Sequence, residues 1–435
     1  MGMVNNGIDW VDEIPKDWKI CRIKDKYKLI TGFTPDTTRD DFYDNDNGYT
    51  WVSIADMTNA NGKISKSSMG ISELYIRNKH PEIVKKGSLL YSFKLSVGKV
   101  GFAEKDLYTN EAIASFQNDD NVCLLFLYYA AFLIEQNANI NIYGAKILNQ
   151  DLIKNSITIV PPLLEQKAIA KYLDEKVRKI DDILSDIISQ VKILKKYRNS
   201  IICETTSRGL DKCRQYQILD NKWYSEIPKE WKFMAIKRVT SILTCGVAST
   251  PEYVDEEDGV LFLSAQNVQD NRLDLSKKMY IPYSLHKYLT RNRKPQKGDI
   301  LQVRVGATIG KSAVVDIDDE FSIYVSLTHI RVNEYMNNKF LNYVLGTEMF
   351  KEMASLDVDY AGSQGNLNVA DLREIKIPVP PMSEQIEIVE FLDKKCSQID
   401  EIIKDKSNQI EKMEGYKKSL IYEYITGKKR VKGVQ

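Results

Sequence analysis

The sequence predicts an α+β protein built from two tandem modules, each of which ends in a long α-helix. Two observations carry this prediction. The chain repeats itself with an offset of 211 to 219 residues, and the last quarter of each copy changes from short apolar runs to a long helical pattern. A length of 435 residues also exceeds what a single ordinary hydrophobic core supports. We therefore expect two domains with one shared architecture.

The repeat is clearest at the two ends of each copy. Residues 9–19 (DWVDEIPKDWK) return as KWYSEIPKEWK at 222–232, and VPPLLEQ at 160–166 returns as VPPMSEQ at 379–385. Weaker matches connect these anchors: 77–81 with 291–295, 85–90 with 296–301, 97–99 with 309–311, and 172–184 with 391–403. We divide the chain into a first domain (1–162), a first helix (163–210), a second domain (211–381) and a second helix (382–430).

The first three-quarters of each copy is rich in glycine, asparagine, aspartate, threonine and tyrosine. Short apolar runs bounded by turn residues occur there, at 48–57, 88–100, 259–268 and 299–315. Runs of this length are typical of strands in a compact, mostly β or α+β domain. A Pro-Pro pair then closes each domain, because proline cannot continue a strand ladder or a helix interior.

The last quarter of each copy follows a heptad pattern. Apolar side chains alternate at spacings of four and three residues, at Leu173, Val177, Ile180, Leu184, Ile187, Val191, Leu194 and Ile201, and again at Leu392, Cys396, Ile399, Ile403, Ile410, Met413 and Leu420. Arg198, Lys406 and Lys417 interrupt the two series. This pattern indicates a coiled-coil seam along helices of roughly 55–60 Å. The alternative is an amphipathic helix packed on its own domain, but a helix this long would extend beyond a domain of about 160 residues.

The bulk composition is that of a soluble globular protein, with 43% hydrophobic and 28% charged residues. No apolar run is long enough to span a membrane, and the N-terminal residues contain no apolar signal core. The six cysteines form no CxxC pair, so we expect reduced thiols and a cytoplasmic protein. The net charge of +1 means that any DNA binding must rely on local basic patches.

Catalytic motifs are hard to find in this sequence. Neither a His-Glu-x-x-His metal motif nor a Gly-x-Ser-x-Gly nucleophile motif occurs. The stretch 306–312 (GATIGKS) resembles a phosphate-binding loop but has three residues between its glycines instead of four, so we interpret it as a turn between two strands. The Pro-Pro pairs lack the asparagine or aspartate and the aromatic residue of DNA amino-methyltransferases. We therefore expect a chain without catalytic residues or a metal site.

Basic and polar residues recur on corresponding loops of the two copies. These side chain types clamp phosphates or reach base edges in DNA. The candidate DNA-binding residues are Arg77, Lys79, Lys94, Lys99, Lys146, Arg291, Arg293, Arg304, Lys311, Ser363 and Gln364. Within this set we predict that Lys99 and Lys311, which follow glycine turns, bind phosphates, and that Lys146 and Gln364 help to specify bases. The alternative for any single residue is solvated surface charge.

The ordered set of motifs resembles the type I restriction specificity subunits over essentially the whole chain. The family's opening pattern, Gly-x-x-Trp-x-x-x-Ile-Pro-x-x-Trp, is matched at 7–18 and, without its glycine, at 223–231. A Gly-x-Thr-Pro stretch follows at 32–35, from which the second copy departs at 245–251. Both domains close with Pro-Pro-x-x-Glu-Gln, and the helices exit through glycine, at 207–211 and 426–428.

The resemblance implies a fold and a function. The two helices would pair as an antiparallel coiled coil with pseudo-two-fold symmetry. Each target-recognition domain would read one half of a bipartite site in double-stranded DNA, and the coil would set the spacing. Two methyltransferase (modification) subunits would bring S-adenosylmethionine, and restriction subunits would bring ATP-driven translocation, so this chain would need no cofactor of its own.

Two alternatives from other classes remain at this point. The chain could be a structural coiled-coil scaffold or adaptor without DNA binding, which predicts no affinity for DNA. It could also be an enzyme whose catalytic residues form no recognisable motif. The leading interpretation predicts salt-sensitive DNA binding that sharpens with a modification partner.

Overall fold

Each half of the chain folds as short strands and helices first and one long helix last. The computed structural model describes residues 3–8, 11–59, 62–94, 96–136, 138–140, 146–246, 251–306, 308–355 and 367–431. Contacts divide the chain into two units. The first unit contains Met1–Ile187 with Gln409–Gln435, and the second contains Ile188–Asn408. The predicted α+β class, with two tandem domains each followed by a long helix, is confirmed.

The first domain contains fourteen strands among the described residues: β1 Met3–Ile8, β2 Val11–Pro15, β3 Lys19–Arg22, β4 Leu29–Thr31, β5 Tyr49–Val52, β6 Lys63–Ile64, β7 Met69–Ile71, β8 Leu89–Ser92, β9 Val100–Ala103, β10 Tyr108–Thr109, β11 Ile113–Phe116, β12 Asn139–Ile140, β13 Lys146–Ile147 and β14 Ile157–Val160. Its helices are α1 Ile23–Lys26, α2 Ile54–Asn59, α3 Glu73–Lys79, α4 Leu124–Ala130, α5 Phe132–Glu135 and α6 Gln150–Asn155. A five-stranded sheet (β4-β11-β8-β9-β6) and a three-stranded sheet (β10-β5-β7) form its centre. The helix α7, Leu163–Arg208, follows.

The second domain repeats this plan with thirteen strands among the described residues: β15 Tyr216–Ile218, β16 Glu226–Pro228, β17 Lys232–Ala235, β18 Thr240–Cys245, β19 Gly259–Leu263, β20 Val268–Gln269, β21 Arg272–Leu273, β22 Tyr280–Pro282, β23 Ile300–Val303, β24 Ser312–Val314, β25 Phe321–Ile323, β26 Leu327–Val332 and β27 Lys376–Val379. Its helices are α8 Tyr283–Leu289, α9 Asn338–Gly346, α10 Glu348–Ser355 and α11 Val369–Glu374. The central sheets have the orders β18-β26-β23-β24 and β22-β19-β25. The helix α12, Met382–Ile425, closes the copy.

The central strands β8 and β23 occupy equivalent places in the two domains. All four residues of each strand are buried, which explains why the sequence shows a continuous apolar run there rather than an alternating one. A glycine with positive φ precedes each strand, Gly87 at 83° and Gly298 at 90°, so the tight turn that admits the strand requires this residue type.

The repeated motifs at the ends of each copy bind one another. In the first unit, the Trp18 indole N–H donates to Glu165 (3.0 Å), and Arg430 donates to both carboxylate oxygens of Glu165 (2.7 and 2.6 Å) and to Asp17. We call this contact the first clasp. It joins the start of the domain, the start of α7 and the residues after α12, which all belong to the first unit.

The second unit contains the equivalent contact, the second clasp. The Trp231 indole N–H donates to Glu384 (2.8 Å), and the Arg214 guanidinium lies 2.7 Å from the same carboxylate. In each unit the glycine that ends the helix has positive φ and lies against the tryptophan ring, which leaves no room for a side chain. The clasps explain why the tryptophan, glutamate and glycine motifs survive in both copies.

The long helices pair within each unit. In the first unit, Leu184 packs in one cluster with Met413 and Leu420, and the Lys417 ammonium lies 2.5 Å from Asp181. Farther back along α7, the Tyr172 ring lies 4.7 Å from that of Tyr424, so the helices run antiparallel there. The other predicted seam residues in this unit are buried (Leu173, Val177, Ile180) or half-buried (Ile187, Ile410).

In the second unit the helices also run antiparallel. The Lys406 ammonium donates to the Gln190 side chain (2.5 Å), and Arg198 lies 3.0 Å from Asp400. The predicted seam residues Leu392 and Ile399 are buried, and Ile403 is half-buried. The three cations that interrupt the heptads therefore reach polar partners on the opposing helix. Of the helices that the structure describes, none is long and apolar enough to cross a membrane.

Candidate nucleic-acid interface

A glycine turn projects from the central sheet of each domain. In the first domain it connects β8 to β9 and contains Gly98, with φ of 89°. In the second domain it connects β23 to β24, which pair antiparallel, and contains Gly306 and Gly310 with φ of 98° and 87°. The interpretation of 306–312 as a turn between strands, rather than a phosphate-binding loop, is confirmed.

The two lysines that follow these turns have different surroundings. Lys99 is exposed, and its backbone is bonded to Ser92: its N–H donates to the Ser92 hydroxyl (3.0 Å), and its carbonyl accepts from the Ser92 N–H (2.9 Å). Lys311 is half-buried, and its ammonium donates to the Gln269 side chain (2.9 Å). Lys99 therefore presents its charge to a ligand, whereas Lys311 must first release Gln269.

The sequence analysis missed the side chains that pack against the turns. A Cβ atom added at Gly98 would lie 2.0 Å from the Glu135 carboxylate, and that carboxylate also accepts a bond from Lys146 (2.9 Å). At Gly310 the neighbour is the Lys351 side chain, 2.9 Å from an added Cβ. The structure thus places Lys146 close to the first glycine turn, because Glu135 contacts both. The second turn packs against a cation, Lys351, where the first packs against a carboxylate.

Arg304 contacts the protein itself. Its guanidinium donates to the backbone oxygens of Leu367 (3.1 Å) and Val325 (3.5 Å), and its own carbonyl accepts from the Leu367 N–H (2.8 Å). These bonds attach the glycine turn to the residues just before α11. The predicted DNA-binding residues Ser363 and Gln364, the second of which is a predicted base reader, lie outside the described residues.

The remaining predicted cations lie on the first turn and on two basic segments, residues 77–86 in the first domain and 291–297 in the second. Arg77 is held by Glu73 one helical turn earlier (2.6 Å), and the Lys94 ammonium lies 4.0 Å from Glu111. Within the described ranges, no carboxylate lies within 4.0 Å of the cations that remain, which are Lys79, Lys99, Arg291 and Arg293. All four are exposed. Within these ranges, the four side chains have no carboxylate partner to release before they contact an anion such as a phosphate.

The same ranges contain no group of three or more histidine, cysteine, aspartate or glutamate side chains placed to hold a metal ion. The candidate sites among the described residues are the basic segments and the glycine turns, and each domain contains one of each.

Comparisons with known proteins agree with this picture. The family model for the type I restriction modification DNA specificity domain matches residues 15–193 and 228–412. The specificity subunit of type I restriction enzyme MjaVIII from Methanocaldococcus jannaschii is 26% identical, over 97% of this chain and 95% of that one. The EcoBI specificity subunit from Escherichia coli is 24% identical, over 82% of this chain and 77% of its own length.

Two solved structures share the fold. A chain from a study of complex assembly and conformational transition in a type I restriction-modification system has a TM-score of 0.71 at 15% identity and covers 95% of this chain and 99% of its own length. The HsdS subunit from Thermoanaerobacter tengcongensis has a TM-score of 0.50 at 15% identity, covering 95% and 98%. With two matched copies of the family domain spanning most of its length, the chain belongs to the type I restriction-modification DNA specificity family.

Proposed function

We propose that this chain is the non-catalytic DNA-reading subunit of a type I restriction-modification complex, in which each domain reads one half of a bipartite site and the paired helices set the spacing. The observation that carries the proposal is the contrast between the two copies. The clasps and the central strands are repeated, whereas the side chains at the glycine turns and basic segments differ. A duplicated scaffold with diverged loops supplies two readers with different base preferences.

DNA binding in this proposal combines phosphate clamps with base readers. Lys79, Lys99, Arg291 and Arg293 have exposed charges that are suited to phosphates, which give affinity without sequence preference. Lys146, whose charge is balanced by Glu135, and Gln364 are the proposed base readers. Releasing the Lys146 ammonium from Glu135 costs free energy. A guanine edge, which presents two acceptors, offsets this cost better than a base edge with fewer acceptors.

The proposed partners are two modification subunits, which carry S-adenosylmethionine, and restriction subunits, which use ATP. Exposed aromatic and aliphatic side chains that recur at equivalent positions of the two long helices support a protein partner. Tyr197 and Tyr416 stand at equivalent positions and are 55% and 56% exposed, and the equivalent Ile183 and Ile402 are 47% and 45% exposed. Aromatic and aliphatic side chains left exposed in both copies are typical of protein interfaces. Two equivalent sets of exposed side chains suit two copies of one partner subunit.

The DNA-reading proposal is tested by sequencing the methylated bases in a host that expresses this chain with its modification partner. We expect a motif of two fixed halves separated by a spacer of constant length, and its loss when the chain is deleted. Methylation that persists without this chain, or that follows one continuous motif, contradicts the proposal. A complex that forms without salt-dependent DNA binding supports the scaffold alternative instead.

The partner surface is tested with the double variant Tyr197→Asp/Tyr416→Asp. We expect the affinity for the modification subunit to fall at least tenfold, because about 1.4 kcal/mol of apolar contact is lost. The matched control is Ile193→Asp, which changes an exposed apolar residue whose repeat position is Lys412. Equal binding by the double variant and the control would place the partner elsewhere.

A further inference from the structure

A buried charged network occupies the central sheet of the second domain. The Asp299 carboxylate accepts two bonds from the Arg331 guanidinium (2.7 and 2.8 Å) and one from the Gln296 backbone N–H (2.9 Å). The His329 ring nitrogen Nε2 lies 2.6 Å from the same carboxylate. Asp299 and His329 are each only 1% exposed. We call these three side chains, Asp299, His329 and Arg331, the buried network.

The buried network is attached to the basic segment of this domain, residues 291–297. Arg331 also donates to the Lys294 carbonyl (2.8 Å), and the Gln296 N–H is bonded to Asp299. Two backbone groups of the segment are therefore held by the side chains of Asp299, which directly precedes β23, and of Arg331 in β26. Arg291 and Arg293 lie on the same segment, and their charges face solvent.

The first domain shows that the fold does not need these charges. Strand register places Leu90 opposite Ser115 in the first domain and Leu301 opposite His329 in the second, so Ser115 corresponds to His329. By the same alignment, Ser88 stands where the second domain has Asp299. Two residues beyond Ser115 and His329, the first domain has Gln117 and the second has Arg331. The first domain builds the same sheet from neutral side chains.

The segment is anchored differently in the first domain. There, Val84 and Leu107 form an isolated bridge with two backbone hydrogen bonds (2.9 and 3.0 Å). Counted back from the glycine before the central strand, the place of Val84 is taken by Pro295 in the second domain. Proline has no N–H to donate, so this bridge cannot form with both bonds. The buried network supplies the missing anchors.

Burying these charged side chains costs free energy, and their presence therefore indicates a local role in this domain. Burial raises the pKa of Asp299, but the bonds from Arg331 and His329 outweigh burial and hold the pKa below its usual range. A buried ion pair contributes little net stability compared with apolar residues of the same volume, whereas loss of one partner is strongly destabilising. What the network does provide is a fixed geometry for the groups bonded to it.

We propose that Asp299, Arg331 and His329 are positioning residues that hold the basic segment 291–297 in the conformation in which its phosphate contacts fix the register of the second domain on DNA, so that base discrimination in one half of the site depends on them. This inference rests on the proposed function, because it assumes that the second domain reads one half-site. Recognition of the other half-site by the first domain, which lacks the network, should not change when the network is lost.

The test uses the full chain in complex with its modification subunit and the variant Asp299→Asn, which keeps the shape and removes the charge. Hydrogen exchange of the backbone amides at 291–297 reports the conformation of the segment without any DNA. We expect these amides to exchange about tenfold faster, while amides at the second clasp, which lies in the same unit, are unchanged. Arg331→Lys, which keeps the charge but loses the paired donors, should give an intermediate rate.

The second measurement is discrimination between single-base changes in each half-site. We expect Asp299→Asn to reduce discrimination about tenfold in one half only. The control variant Ser88→Ala, at the equivalent position of the first domain, should reduce it in neither half. Unfolding of the second domain in Asp299→Asn would be recognised from faster exchange of the second-clasp amides, and Arg331→Lys then provides the comparison.

The possible failures are distinguishable. Unchanged exchange at 291–297 overturns the positioning role whatever happens with DNA. Faster exchange with unchanged discrimination in both halves, while Arg293→Ala weakens binding, overturns the link from the network to specificity. If the wild-type complex itself shows no separate half-sites, the proposed function fails, and it fails independently of the exchange result.

Discussion

In the first domain a backbone bridge from Val84 to Leu107 anchors the basic segment, whereas in the second domain Asp299 and Arg331 anchor it through their side chains. The contacts that attach each domain to its long helix have not diverged in this way, since both clasps use a tryptophan, a glutamate and an arginine. The duplicated chain thus keeps the contacts that assemble each unit and changes those around the segments that we propose to face DNA.

The clasps themselves differ in strength. Arg430 donates to both oxygens of Glu165 and to both oxygens of Asp17. The bonds to Glu165 and Asp17 raise the pKa of Arg430, and the Arg430 bond lowers the pKa of Asp17. Among the carboxylates of the described residues, Arg214 pairs only with Glu384, and its guanidinium lies over the Trp231 ring. We therefore expect the first unit to depend more on its arginine than the second.

The largest expected effect comes from the helix pairing that both units share. Leu184→Asp places a charge in the buried seam of the first unit and should lower the free energy of unfolding by about 3–5 kcal/mol. The control Ile183→Asp changes the neighbouring exposed residue and should have little effect. Chemical denaturation checks both variants, and equal stability of the two would contradict the seam assignment.

The next effect separates the two clasps. Arg430→Gln should cost about 2–4 kcal/mol because it leaves the buried Glu165 carboxylate with fewer donors. Arg214→Gln should cost about 1–2 kcal/mol. Thermal unfolding followed by hydrogen exchange assigns each loss to its unit, with Lys429→Ala as a nearby control that should change nothing. A larger loss of stability for Arg214→Gln than for Arg430→Gln would contradict the expected order of the two clasps.

A smaller effect concerns the lysines after the glycine turns. Lys99→Ala should weaken binding to all DNA sequences and lower the salt slope by about one unit, because an exposed phosphate contact is lost. Lys311→Ala should change the slope less, since its ammonium is bonded to Gln269. Binding isotherms at several salt concentrations decide the matter. A change in base preference for Lys99→Ala would make it a base reader.

The smallest effect is a dependence on pH. Because the pKa of Asp299 is lower in the folded chain than its ordinary value of 3.8, its stabilising contribution is present above pH 3.8 and is lost as the pH falls through the folded value. The difference in stability between wild type and Asp299→Asn should therefore shrink below that pH. Unfolding measured between about pH 5 and pH 3 checks it, and a constant difference would argue against an ionised Asp299.

The sequence predicted the features that depend on local pattern. Heptad spacing located both long helices, and glycine spacing located both turns. The run 48–57, interpreted as a strand, was only half correct, because β5 ends at Val52 and α2 begins at Ile54. The Asp56 carboxylate accepts from the Ser53 N–H and hydroxyl, which favours a helix start that a short apolar run does not reveal.

The features that were missed depend on contacts between distant residues. Glu135 contacts the Gly98 turn from a helix 37 positions later in the chain, and no sequence pattern links the two residues. The buried network left a weak signal, since an aspartate replaces Ser88 inside an otherwise apolar match between the copies. A charge at a position that the other copy keeps neutral and buried indicates a partner elsewhere in that domain.

The central claim is that each domain reads one half of the site independently. The most direct test replaces residues 15–155 by the same domain of a relative with a known target and sequences the methylated motif. We predict that one half of the motif changes to that of the relative, while the other half and the spacer length stay the same. A motif in which both halves change together, or in which only the spacer changes, would contradict the account.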